Sequence, residues 1–341
     1  MEPEAEHEVS PPAAMMNLIT GYWVSQAVGV IARLGVADQL GAHPRGSDEL
    51  AQAVGADRQA LYRVLRLLAS LGVFAEPTPG CFALTPLGET LRSDSPGSVR
   101  NFAITETAPG HWLPWGRLHD SVRTGQPMAR QALGMELFDW YAQNAEEAAY
   151  FNAAMGNLST LVATELVRVY DFSSVQTVAD IGGAHGILLM AILSANPAVR
   201  GILFDLPHVI ATAGEAIAAA GFRDRCQLVS GDFFEAVPEG ADLHLLKQIV
   251  HDWNDEQATR LLRNCHRALA PAGKLLLVEM VIPSDNRPSP AQAMDLNMLV
   301  ILGGRERTRE QFERLFQATG FRLDRIIPTH SPFNVIEATR V

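Results

Sequence analysis

An α/β fold with a mostly parallel, twisted sheet is predicted for the C-terminal half of this sequence, behind a mainly helical domain that carries a winged-helix element. Three observations predict it. After Tyr170, short apolar runs bounded by turn residues alternate with helical stretches, the rhythm of βαβ units. Runs such as Leu275-Leu276-Leu277-Val278 are continuous rather than alternating, as in strands buried on both faces. Before Tyr170 the pattern is helical with one interruption, a hairpin near residues 73–84.

Length and composition set the frame. A chain of 341 residues is long enough for two domains, and 48% apolar with 19% charged residues fits a folded globular protein. A net charge of −11 argues against a broad surface for nucleic acid or anionic membrane. The three cysteines, Cys81, Cys226 and Cys265, are far apart, which argues against a disulfide framework and a thiolate metal site and fits a cytoplasmic protein. Glu2, Glu4, Glu6 and Glu8 are the opposite of a signal peptide's basic start. The apolar stretch Met15–Val36 contains Asn17, Gln26 and Arg33 and reads as a buried helix, not a membrane span.

In chain order, residues 1–12 are acidic, end in two prolines and are expected to be disordered. Residues 13–170 form the helical domain and 171–341 the α/β domain, with the boundary near 170–176. Asp48–Val54 and Asp57–Leu71 read as two helices joined at Gly55, with Ser47 as N-cap of the first and Gly72 as the stop of the second. The hairpin follows, turning at Pro77-Thr78-Pro79-Gly80, and completes a winged helix. Such modules often bind DNA, so charge decides. Between Ser47 and Arg100, five arginines (58, 63, 66, 92, 100) face six acids (48, 49, 57, 76, 89, 94), a net −1 with no lysine. A dimer-forming role suits that balance better than groove binding. Expected strands are Val178–Ile181, Gly201–Phe204, Cys226–Val229, Leu243–Ile249 and Lys274–Val281. Expected helices are Ile187–Ala195, His208–Ala220 and Glu256–Leu269, with a late antiparallel pair at Phe321–Ile327 and Asn334–Thr339.

The most informative stretch is Val178-Ala179-Asp180-Ile181-Gly182-Gly183-Ala184-His185-Gly186. A strand runs into a small-residue turn and then a helix, at the sheet edge where doubly wound folds bind ligands. The dinucleotide fingerprint G-x-G-x-x-G/A, started at Gly182, fails at Ala184 and Ile187, which disfavours a nicotinamide cofactor. A tight turn with no ligand is the plain alternative. Against it stand Asp205, ending the next strand, and Gly231-Asp232-Phe233 after the third. A carboxylate suited to ribose hydroxyls and an acid plus aromatic suited to adenine together describe a nucleoside site.

Here the sequence resembles the class I S-adenosylmethionine-dependent methyltransferases, specifically the small-molecule O-methyltransferases of the caffeic-acid, acetylserotonin and bacterial natural-product tailoring kind. The resemblance rests on Leu246-Lys247-Gln248-Ile249-Val250-His251-Asp252-Trp253, Val278-Glu279, Gly304-Arg305-Glu306-Arg307-Thr308 and Phe151-Asn152-Ala153-Ala154-Met155, and spans nearly the whole chain. It implies a Rossmann-like catalytic domain behind a winged-helix-like dimerisation domain, S-adenosyl-L-methionine as cofactor, and a homodimer. It further implies that Gly182, Asp205 and Leu206 hold the methionine and ribose portions, that Asp232 and Phe233 flank the adenine, and that Lys247 contacts the cofactor's polar end. His251 would be the general base with Glu279 and Glu306 around its imidazole, and Phe151, Met155 and Asn297 would lie beside the acceptor. Ala184 departs from the family's usual glycine and implies a slightly shifted turn.

The chemistry asks for such residues. Transfer from a sulfonium needs an aligned, deprotonated oxygen. A phenol with a pKa of about 10 keeps its proton at neutral pH, whereas an ordinary imidazole, at about 6.5, is largely neutral and free to take it. Plainer roles stand beside these. In these, His251-Asp252 only caps the helix near Asn254, Asp252 being the better cap; Glu306 is a surface acid; Phe151 and Met155, four apart, suit a core. Glu279, inside an apolar strand, is costly to bury without a partner. His185 is given no role. No metal site is expected, since no further ligands cluster near His251-Asp252 in sequence. The expected function is therefore O-methylation of a hydroxyl on a small aromatic or polyketide-like metabolite, with neither nucleic acid nor membrane as partner. N-methylation, hydroxylation or decarboxylation on the same scaffold is one alternative, and a metabolite-sensing regulator with a degenerate enzyme domain is another.

Overall fold

A computed structural model describes residues 10–41, 43–285 and 287–341. The chain divides into two compact units: residues up to Trp112 with Asn144–Asn157, and Leu113–Gln143 with Leu158–Val341. The expected boundary at 170–176 marks a change of secondary structure rather than of packing, because Leu113–Gln143 and the stretch from Leu158 pack with the α/β unit.

In the first unit, the expected disordered start lies outside the described residues as far as residue 9. Helix begins at Pro11, since proline at the first helical position gives up no hydrogen bond. The helix Gly21–Leu34 buries Ala27, Ile31 and Ala32 and ends at Gly35 in the left-handed region. Gly29 meets the helix Arg100–Thr107 so closely that a Cβ would lie 2.1 Å from Thr107 Oγ1. The winged helix forms as expected in outline. Its strands β1 (Arg45–Gly46), β2 (Phe74–Thr78) and β3 (Cys81–Leu84) make a sheet of order β1-β3-β2 beside helices Ser47–Val54 and Arg58–Ser70. Leu61, Leu65 and Leu68 bury one face of the second helix. The caps differ from expectation. Ser47 lies inside its helix and makes no cap bond, whereas Asp57 caps the second by accepting from Ala60 N.

The second unit is built on seven strands: β4 (Thr177–Ile181), β5 (Arg200–Asp205), β6 (Cys226–Ser230), β7 (Leu243–Lys247), β8 (Lys274–Glu279), β11 (Phe321–Pro328) and β12 (Asn334–Arg340). Two short strands between them, β9 (Val281–Ile282) and β10 (Arg307–Thr308), pair with each other. The order is β11-β12-β8-β7-β4-β5-β6; the strands are parallel from β6 to β8 and antiparallel for the last two, and the mostly parallel sheet with a late antiparallel pair is what the sequence led us to expect. Helices Ile187–Ala195 and Asp255–Ala268 cover opposite faces, and the central strands β4, β7 and β8 are buried along almost their whole length. The chain goes outward from β4 to β6 and returns to β7 on β4's other side. That reversal opens a crevice at the carboxyl ends of β4 and β7, where such sheets take ligands.

Candidate active site at the carboxyl edge of the sheet

At the end of β4 the chain turns through Gly182 (φ +72°) and Ala184 (φ +50°) to Gly186 (φ +75°) before entering its helix. Side chains have no room here. A Cβ on Gly182 would lie 2.6 Å from Ile249 Cδ1, and one on Gly183 2.5 Å from Leu203 Cδ1 and 2.6 Å from the Asp180 carboxyl. Ala184 thus holds a left-handed conformation that costs a non-glycine residue about 1–2 kcal/mol. Asp205, closing β5, ties the turn down: Oδ2 accepts from Ala184 N (2.9 Å) and Oδ1 from Leu206 N (2.7 Å). Each oxygen keeps acceptor capacity for a ligand hydroxyl. Beyond β6, Asp232 Oδ1 accepts from Phe234 N (2.8 Å), and the Phe233 ring packs edge-on against Phe234 and Trp253. Phe233 Cε1 would be 3.9 Å from a Gly182 Cβ, so the aromatic face stands beside the turn. Lys247 closes β7; burial pulls its ammonium down to about 8 against the attraction of Asp180 and Glu279, and its Nζ donates to Gln248 Oε1 (2.7 Å). Bare backbone, a carboxylate, an acid with an aromatic ring and a cation converge on one edge, which fits an adenosyl group with an amino-acid tail.

The next segment carries the buried charges. β7 stops at Lys247, two residues earlier than expected, because Gln248 takes φ +52° and a short 3-10 turn, Val250–Asp252, follows. His251 is buried in that turn. Its Nδ1 lies 2.7 Å from Glu306 Oε1 and 3.7 Å from Glu279 Oε2; its Nε2 lies 3.4 Å from Asp252 Oδ1. Burial opposes the imidazolium, but Glu279, Asp252 and Glu306 outweigh it and hold His251 up at about 10. Burial also raises Glu279, and it pushes Asp252 up to about 6. The expectation of an ordinary imidazole near 6.5 is therefore corrected: the neighbouring carboxylates raise its affinity for a proton. Asp252 does not cap the following helix either. Asn254 does, accepting from Gln257 N (3.0 Å), which leaves Asp252 on the Nε2 side of the imidazole.

The O-methyltransferase domain family matches residues 115–322, and the O-methyltransferase dimerisation domain matches residues 16–94. The chain belongs to the O-methyltransferase family. It is 44% identical over 324 residues to a phenazine O-methyltransferase of Lysobacter antibioticus, covering 95% of each chain. It is 37% identical to a mitomycin biosynthesis 6-O-methyltransferase of Streptomyces lavendulae, over 95% of this chain and 93% of that one. The solved structure of CalO1, a methyltransferase in calicheamicin biosynthesis with S-adenosylhomocysteine bound, superposes with a TM-score of 0.86 at 35% identity, covering 96% and 97% of the two chains. The fold is that of the class I methyltransferases with an N-terminal dimerisation domain, and the cofactor is S-adenosyl-L-methionine.

In this O-methyltransferase, Gly182, Asp205, Leu206, Asp232, Phe233 and Lys247 gather at the sheet edge, while His251, Glu279 and Glu306 form one buried cluster. Glu306, expected to be the lesser partner, makes the closer contact; Glu279 Oε1 instead accepts from Ile249 N (3.1 Å) and Val250 N (2.9 Å), fixing the turn that carries His251. Ligand atoms of these three lie within 4.8 Å of one another, a cluster that sequence separation concealed. Asn297 is buried and engaged, its Oδ1 accepting from Trp115 Nε1 (2.7 Å). Phe151 and Met155 belong to the other unit, on the helix Ala145–Val169, where the Phe151 ring stacks near His111 at 6.3 Å. Sequence reasoning missed Arg307. Fully buried, its guanidinium donates to Val250 O, Trp253 O and Asp255, clamping the His251 turn from below. Gly304 is the matching signal: a Cβ there would lie 2.1 Å from His251 O, so only glycine lets the loop cross the turn, where Arg305 N donates to that same oxygen (2.8 Å). No helix among the described residues is long and apolar enough to cross a membrane.

Proposed function

We propose that this enzyme O-methylates a hydroxyl of a small aromatic or polyketide-like metabolite, with His251 receiving the hydroxyl proton and Glu306 and Glu279 holding the imidazolium that results. The observation that carries this is the buried His251 with Nδ1 fixed by Glu306 at 2.7 Å and its other nitrogen turned to the Asp252 side. Bound S-adenosyl-L-methionine supplies a methyl group already activated by its sulfonium. What the chain must add is an aligned, deprotonated oxygen. The neighbouring carboxylates raise the proton affinity of the neutral imidazole toward that of a phenol, about 10, which makes transfer from the phenol to it less uphill. The relatives named as a phenazine O-methyltransferase and a mitomycin biosynthesis 6-O-methyltransferase support an aromatic natural-product acceptor.

Gly182, Asp205, Leu206, Asp232, Phe233 and Lys247 are assigned to the cofactor, and Phe151, Met155 and Asn297 to the acceptor side. The chain acts as a homodimer. The helix Pro11–Ile19 buries none of its residues within the chain, and Met15, Met16, Leu18, Ile19, Tyr22 and Trp23 present an exposed apolar face suited to a second copy.

The deciding experiment is titration calorimetry with S-adenosylmethionine and S-adenosylhomocysteine on the wild type and Asp205→Ala, followed by methyl transfer to phenolic acceptors. Micromolar binding lost in Asp205→Ala, with turnover of a phenol, supports the assignment. Failure of either ligand to bind overturns it.

A further inference from the structure

The helix Asp255–Ala268 buries Ala258, Leu261, Leu262 and Cys265, with Asn264 among them. An amide in such a stripe is costly to bury unless it is paired, and a leucine would pack there better. Both ends of the Asn264 side chain are paired. Its Nδ2 donates to Phe233 O (2.8 Å), 31 residues back along the chain, and its Oδ1 accepts from Arg267 one turn on. Those partners fix the direction of the amide, since a guanidinium only donates and a carbonyl oxygen only accepts.

Phe233 is therefore held at its carbonyl oxygen while its ring stands beside the Gly182 turn, where a Gly182 Cβ would come within 3.9 Å of Cε1. Backbone bonds fix the segment on either side: Gly231 N donates to Asp205 O (3.0 Å), and Ala236 N to Asp232 O (3.0 Å). Asn264 adds the tie to the helix behind, and Arg260 of that helix lies over the Phe234 ring at 5.7 Å. The first residue of the same helix, Asp255, accepts from Arg307, which clamps the His251 turn. One helix thus holds the Asp232-Phe233 segment at one point and the His251 turn at another.

We propose that Asn264, aimed by Arg267, is a positioning residue for the adenine end of S-adenosyl-L-methionine: its hydrogen bond to Phe233 O sets where the Asp232 carboxylate and the Phe233 ring meet the base. The proposal rests on the assignment of Asp232 and Phe233 to adenine above. Without the bond the segment loses its tie to the helix, and carboxylate and ring no longer stand where they tell one base from another. Contacts to the methionine tail at Lys247 are untouched, so discrimination between bases suffers in addition to affinity.

The test uses the full-length enzyme and calorimetry with S-adenosylhomocysteine and S-inosylhomocysteine, in which an oxo group replaces the adenine amino group. The wild type is expected to prefer the adenine ligand by about tenfold or more, because Asp232 accepts from an amino group and repels an oxo group. Asn264→Asp keeps the side chain's volume and its acceptor for Arg267 but has no donor for Phe233 O. It should lower the preference about threefold or more, as should Asn264→Leu. Arg267→Leu, at an exposed position, should lower it less and leave the melting temperature near wild type, so the proposal stays testable if the Asn264 variants fold poorly. Leu262→Ala is the control: a cavity on the same helix should lower the melting temperature and leave the preference unchanged. A purely structural role for Asn264 would act like that control, weakening both ligands together, and would overturn the proposal. Asp232→Ala tests the underlying assignment. If it loses the preference while both Asn264 variants retain it, the proposal alone fails. If it retains the preference, or the wild type has none, the adenine assignment falls and takes the proposal with it.

Discussion

At the Gly182 turn the protein presents backbone with no room for side chains, whereas around His251 it gathers four ionisable side chains at one point. The turn depends on what is missing: a Cβ on Gly182 or Gly183 would strike Ile249, Leu203 or Asp180. The His251 cluster depends on balance, since burial and neighbouring carboxylates pull its proton in opposite directions and the carboxylates win. Under the proposed function, the contrast separates binding from chemistry. Damage to the turn should appear in cofactor affinity, and damage to the cluster in the rate of transfer.

The largest expected effect is His251→Ala. Loss of a general base typically costs about 10²–10⁴-fold, so kcat should fall by that much while S-adenosylhomocysteine affinity changes little. Turnover within tenfold of wild type would mean that alignment alone drives transfer. Gly182→Ala should do the reverse. Its new Cβ sits 2.6 Å from Ile249 Cδ1 at φ +72°, a conformation costing about 1–2 kcal/mol, and cofactor affinity should drop about tenfold or more by calorimetry.

Within the cluster, Glu306 and Glu279 should part company. Glu306→Ala removes the carboxylate 2.7 Å from Nδ1 and should act mainly on kcat. Glu279→Ala strips the acceptor from Ile249 N and Val250 N, each stranded donor costing about 1–3 kcal/mol, so thermal denaturation should find it the less stable variant. Equal melting temperatures would show that the two acids are interchangeable. The raised His251 also fixes a sign. Its folded value, about 10, exceeds the ordinary 6.5, so its pairing stabilises the fold fully below pH 6.5 and the contribution is lost as pH rises through about 10. The melting gap between wild type and His251→Ala should accordingly narrow from pH 6 to pH 10. Smallest of all is Ala184→Gly, where relief of about 1–2 kcal/mol of strain is offset by roughly 0.5–1 kcal/mol of added chain freedom.

The same contrast explains what the sequence made legible. The turn and the strand-end acids are local, so Gly182, Asp205, Asp232 and Phe233 stand out as soon as strands and helices are laid along the chain. The cluster is not local. Glu279 and Glu306 reach His251 from a neighbouring strand end and a distant loop, and which of them touches Nδ1 depends on the 3-10 turn that Gln248 begins at positive φ. Arg307 was invisible because an arginine beside a glutamate in a loop reads as surface charge; the fold buries it beneath the turn. Proton affinity was misjudged for the same reason, since spacing alone counts neither burial nor the number of carboxylates. The helical half was read well for its winged helix but not for its boundary, because helices at Leu113–Gln143 look alike in sequence whichever unit they pack with.

The most direct measurement is the titration of His251 itself, followed by NMR of histidine labelled with carbon-13 at Cε1 and assigned by comparison with His251→Ala. A midpoint above 6.5 in the wild type that falls in Glu306→Gln is the predicted result. A midpoint at or below 6.5, unmoved by Glu306→Gln, would contradict it and remove the carboxylates from the chemistry.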